Sequence, residues 1–203
     1  MVDKKEMEIL LNTYYIIGKN YTIHDTGIVD VLGSVVCVKL PKNKQMPVQF
    51  GEVTGDFIIN PKVKPVSLKG CPHTVAGTFH VSKNNLITHL EHGPERVGIY
   101  VVEEGNPIMN LKGVATHIGR NLNVFVNTLT DLSDMPVNLD FFYAGYNKQM
   151  PILRLCMVKR PYLQNATVGM QRIIDQHAGS GKKGALAFAA DLIRAGYKDN
   201  ARW

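Results

Sequence analysis

The chain has 203 residues, 45% of them hydrophobic and 20% charged, and a formal net charge of +6. That length suits one domain, or a solenoid with end caps, and supplies enough apolar residues for a substantial core. No apolar run is long enough to span a bilayer, and Cys37, Cys71 and Cys156 form too sparse and odd a set for a disulfide framework, so they fit reduced thiols in a cytoplasm.

Residues 1–20, MVDKKEMEILLNTYYIIGKN, place acidic residues before the apolar run and show no cleavage pattern, which excludes a secretory signal. They read as an amphipathic helix that caps one end of the repeat region beginning at residue 21.

Residues 21–147 carry an internal repeat. Val31, Val53, Val75, Val97, Ile118 and Leu139 recur every 21 or 22 residues. Met46, Leu68, Leu90, Leu111 and Leu132 keep the same step, as do Phe50, Pro72, Pro94, Ala115 and Pro136. Gly33, Gly55 and Gly77 form a further column, and Val35, Phe57, Phe79 and Leu122 another. Within a unit the apolar residues alternate, as in Val53, Gly55, Phe57, Ile59, which is the period of a strand with one buried face. A lone Leu and a turn come next, as in LKGCP from Leu68 and LEHGP from Leu90. One such unit cannot bury its own apolar face, whereas stacked units share a core. Asn85, Asn106 and Asn127 lie in a partial column from which amides can bond loop backbone between turns. The columns predict a mainly β, single-stack solenoid of five to six turns.

The pattern V-x-G-x-F, N-x-L, L-x-G-x-P resembles the leucine-rich-repeat-like units of tailed-phage and bacterial accessory proteins. The resemblance covers residues 24–147 and speaks for architecture; VGIYV from Val97 is one residue short, and Leu139-Asp140-Phe141-Phe142 lacks the Gly. It implies a small phage-encoded accessory or counter-defence factor, at work in the host cytoplasm, that binds and inhibits a host protein such as a toxin or nuclease.

Residues 148–203 form a basic C-terminal segment. They hold 10 Lys and Arg against 3 Asp, whereas residues 1–147 hold 13 against 14 Asp and Glu, so all the excess charge sits in the tail. Ile152–Val158 reads as a last strand. NATVGMQRIIDQH reads as a helix capped by Asn165 or Thr167, AGSGKKG as a glycine loop, and the remainder as a second helix with Leu186, Ala189, Leu192 and Ile193 on its inward face and Gly196 as C-cap. The helical hairpin would cap the other end of the solenoid.

Catalytic and metal motifs are weak. GSGKKG lacks the preceding strand, the spacing and the Ser or Thr of a P-loop. His89, Glu91 and His92 have a spacing that suits a metal neither on a helix nor on a strand. Cys71, His73 and His80 are not expected to converge, and no nucleophile-elbow motif is present. The expectation is a non-enzymatic binding protein with no metal and no cofactor.

Outward columns such as Glu52, Thr74, Arg96, His117 and Asn138 vary while the core repeats, which is how a recognition surface is built on a fixed scaffold. Lys182 and Lys183, beside a helix N-terminus, with Arg194 and Lys198 one turn apart, are the predicted partner-facing patch, joined by Arg96 and His117 on the repeats. The expected partner is a protein with an acidic surface. The alternative is nucleic acid held by the basic tail, with Tyr162, Tyr197 and Trp203 among its cations, although the solenoid lacks a continuous basic stripe.

Overall fold

A computed structural model describes residues 3–18, 20–83, 86–137 and 139–203. Helix α1 spans Lys4–Tyr14. The strands are β1 Tyr15–Ile17, β2 Asn20–Ile23, β3 Ile28–Leu32, β4 Val35–Cys37, β5 Gln49–Val53, β6 Phe57–Ile59, β7 Thr74–Val81, β8 Arg96–Val102, β9 His117–Val124, β10 Phe141–Gly145 and β11 Arg160–Gln164. Helices α2 Val168–His177 and α3 Gly181–Arg194 follow. The result is a mainly β solenoid of about six turns with an N-terminal helix and two C-terminal helices.

All strands join one sheet, in two lanes that merge at β7. The first lane is β3, β5 and the leading halves of β7, β8 and β9. The second is β4, β6, the trailing halves of β7, β8 and β9, then β10 and β11. These pairings are parallel, as successive turns of a solenoid must be.

The lanes separate where the chain bends at Gly33 and Gly55. A Cβ on Gly55 would lie 2.7 Å from the Gly33 carbonyl carbon, and one on Gly77 would lie 2.8 Å from the Gly55 oxygen. Only glycine lets the turns stack so closely there. Side chains bond the bend from turn to turn: Asp30 Oδ1 accepts the Glu52 N–H at 2.7 Å, Ser34 Oγ the Asp56 N–H at 3.0 Å, and Asp56 Oδ1 the Thr78 N–H at 2.7 Å. The short unit at Val97 is absorbed by a register shift between Val97 and Ile99, which returns Tyr100 to the column opposite Phe79.

The core follows the columns. Val31, Val53, Val75 and Val97 are buried, as are Leu68, Leu90, Leu111 and Leu132. Each of those four leucines accepts an N–H from three residues on, at 2.9, 3.1, 3.0 and 3.0 Å, so the turn repeats as the sequence does. Tyr15, Phe50, Phe57, Phe79 and Tyr100 form a chain of ring contacts at 5.0–5.9 Å. Asn106 is buried and donates to the Ser82 and Glu103 carbonyls, the turn-to-turn role expected of its column. Asn127 is exposed, and Asn85 lies outside the described residues.

Both ends differ from the sequence expectation. Helix α1, capped by Asp3, stops at Tyr14, because the β-branched and aromatic run after it forms strands instead. β1 pairs antiparallel with β4, and β2 antiparallel with β3. Ile152–Val158 is not the last strand: Leu153–Met157 is a 3-10 turn, buried on most sides, and its chain is tied to the C-terminus by Ile152 N–H to Asn200 O at 3.0 Å and Leu153 N–H to Arg202 O at 3.1 Å. The last strand is β11, parallel to β10. Its outer edge is met by Gln171 of α2, whose Oε1 accepts the Leu163 N–H at 3.1 Å and whose Nε2 donates to Pro161 O at 3.0 Å. One side-chain amide thus takes the place of a peptide unit in a further strand.

Candidate partner-binding surfaces

The six residues singled out in the sequence fall into two places. Arg96 and His117 are neighbours in the first lane and line a shallow groove of about 640 Å³ on the outward face of the sheet. Its floor is Ala76, Gly98 and Gly119 and its walls are Thr74, Arg96 and His117. Asn138, the next member of the outward column, lies outside the described residues.

Lys182, Lys183 and Arg194 sit on α3. The helix begins at Gly181, so the lysines occupy its first turn rather than a flexible loop. The connection from α2 is only Ala178-Gly179-Ser180, with Gly179 at positive φ. Cations at a helix N-terminus oppose the helix dipole at a cost of about 0.3–1 kcal/mol. Both lysines are exposed, and among the described residues neither forms an ion pair. Arg194 contacts Asp191 at 2.9 Å. The His177 bond to Asp191, at 2.8 Å, and to a lesser degree Arg194, hold the Asp191 carboxyl below its usual range against the opposing effect of burial. Lys198 is not one helical turn beyond Arg194. The helix ends in a Schellman motif, with Gly196 at φ 88, Gly196 N–H bonded to Ile193 O and Tyr197 N–H to Leu192 O, and Lys198 opens a separate 3-10 turn.

The inward face of α3 also differs. Phe188 and Leu192 are buried, with Ala185 and Ala189 partly so, and Phe188 stacks on His177 at 5.1 Å. Leu186 and Ile193, expected inward, are 86% and 52% exposed. At 100° per residue they share the outer face with Ala190, and Lys182 borders that stripe on one side and Lys183 and Arg194 on the other. The stripe is written in the sequence at i, i+4, i+7, but it competes there with the equally apolar stripe that docks.

The remaining polar clusters stay apart. His80 pairs with Glu103 at 2.9 Å on the sheet face, Cys71 is buried, and His73 is exposed on a turn. Glu91 pairs with Lys112 at 2.8 Å, which, with the lesser effects of His89 and His92, keeps its carboxyl below the usual range. Among the described residues no three of His, Cys, Asp and Glu are placed to hold a metal together, and no helix is long and apolar enough to cross a membrane. No protein-family model, curated protein or solved structure matches the chain.

Proposed function

We propose that the protein is a non-enzymatic binding factor that docks the outer face of α3 on an acidic surface of a partner protein and acts by occupying it. The observation that carries this reading is the exposed pair Leu186 and Ile193, set between Lys182, Lys183 and Arg194. Apolar anchors ringed by charge are the composition of a protein interface, where the anchors supply affinity and the rim charges supply encounter rate. A surface built for phosphates would instead carry cations at its centre. Acidic groups from the partner would also relieve the two lysines of their unfavourable place at the helix N-terminus. The resemblance to phage accessory proteins makes a host toxin or nuclease, met in the host cytoplasm, the first partner class to test.

The experiment is affinity capture with the full-length protein, then binding kinetics on the recovered partner. Leu186→Asp should abolish binding with the fold intact. Joint reversal of Lys182 and Lys183 to Glu should slow association and flatten its salt dependence. Recovery that is nuclease-sensitive and falls steeply with salt would support the nucleic-acid reading instead. A protein partner indifferent to Leu186→Asp would remove α3 from the interface.

A further inference from the structure

The first lane has five parallel strands with β7 in the middle, flanked beyond β3 by the antiparallel β2, and its outward column runs Asp30, Glu52, Thr74, Arg96, His117. Charge along this column changes sign across Thr74. Glu52 lies one strand to one side and Arg96 one strand to the other, each exposed, and among the described residues neither has an ion partner. At about 4.8 Å per strand they are about 10 Å apart, too far to pair within one chain. Beside this column runs a second: Leu32, Thr54, Ala76, Gly98, Gly119. Leu32 is 56% exposed, a knob at one end. Gly119 at the other end leaves the groove floor open, and packing does not require it, since a Cβ there would meet nothing nearer than 3.7 Å. Gly98, by contrast, is pressed on the Ala76 carbonyl.

We propose that this face is the contact of a symmetric homodimer, two copies packed sheet to sheet about a two-fold axis along β7. Such a rotation keeps strand direction and reverses the order of turns. It sets Glu52 of each copy on Arg96 of the other, and at the rim it brings Asp30, which is already paired with His24 of its own chain at 2.7 Å, over His117. It drops each Leu32 into the groove over the other copy's Gly119, and Ala76 meets Ala76 at the centre. In the second lane it brings Ile58 onto Val101, which lie one strand to either side of His80. The surface is self-complementary in charge and in shape, as an isologous interface must be. Five turns, taken across both lanes along the eight-residue length of β7, give a face of about 24 by 26 Å. That is roughly 1,200 Å² counted over both copies, within the range of specific interfaces.

The test is sedimentation equilibrium of the full-length chain over a concentration series. The expected result is reversible association to twice 22.6 kDa. Arg96→Glu or Glu52→Arg alone weakens the dimer about tenfold or more, because like charges then face each other. The double variant, with the charges exchanged, restores it. Gly119→Trp fills the groove and yields monomer with an unchanged circular dichroism spectrum and thermal midpoint. A monomer at every concentration up to about 1 mM overturns the proposal and leaves the face to a different partner. So does a dimer indifferent to Arg96→Glu and Gly119→Trp, and a double variant that fails to recover overturns the two-fold register.

Discussion

The rings of Phe57 and Phe79 lie 5.9 Å apart and 16° from parallel, one turn above the other, in the centre of an aromatic chain that crosses the first turns of the solenoid. Both are fully buried, and their backbones pair in register. Truncating Phe79 removes a ring that Phe57 and Tyr100 both contact. Phe79→Ala should destabilise the protein by about 3–5 kcal/mol, read as a large fall in thermal midpoint. An unchanged midpoint would mean that this column does not form the core.

The glycines of the bend and of the groove should behave oppositely. Gly77→Ala forces a methyl group to within 2.8 Å of the Gly55 oxygen, which is backbone and cannot swing away. A loss of about 1–3 kcal/mol is expected in urea denaturation. Gly119→Ala meets only ordinary contacts and should change stability by no more than about 0.5 kcal/mol. Equal effects at the two sites would show that the turns are not closely stacked at the bend.

Gln171 closes the free edge of β11 with a single amide. Gln171→Leu leaves the Leu163 N–H and the Pro161 carbonyl without that partner, at a cost of about 1–3 kcal/mol. An exposed edge also invites pairing with another chain. The variant should therefore exchange the Leu163 amide faster and aggregate on heating, and hydrogen exchange at Leu163 that matches the parent would remove Gln171 from this role.

Burial pushes the Cys37 thiol up to about 12 from 9.0, and lifts Cys71 well above its ordinary value. The thiolate is the reactive form, so both cysteines should be inert to a thiol reagent at pH 8 and react once the chain is denatured. The same shift sets a pH dependence. As pH rises past about 9, the unfolded thiols lose protons that the folded ones keep, so the unfolded state binds fewer protons and stability declines toward pH 12. Fast labelling of Cys37 in the native protein would contradict the burial.

The repeat was legible because a solenoid writes its core at a fixed interval. Val53, Val75 and Val97 occupy equivalent places, so each confirms the frame of the others, and even the short unit at Val97 is corrected locally by a register shift. The ends have no such redundancy. Ile152–Val158 has the composition of a strand, yet it becomes a 3-10 turn because Asn200, distant in sequence, binds the Lys148 and Met150 carbonyls beside it. On α3 the alanine-rich sequence offers two apolar stripes. Docking on α2 selected the one containing Phe188 and left Leu186 and Ile193 facing out. Arg96 and His117 were placed together by the column alone, whereas Lys198 was assigned to a helix that the glycine turn at Gly196 had already ended.

The two ends of the sheet have a consequence for length. At one, β1 and β2 run against the direction of every other strand; at the other, an amide stands in for the next one. Each closure pairs with the strand beside it, and neither offers the 22-residue step that an added turn would continue. The span of the rod is therefore set by how many units lie between its closures and not by the closures themselves. A tandem duplication of residues 53–74 should be accommodated as one more rung, lengthening the rod by about 4.8 Å with both ends unchanged.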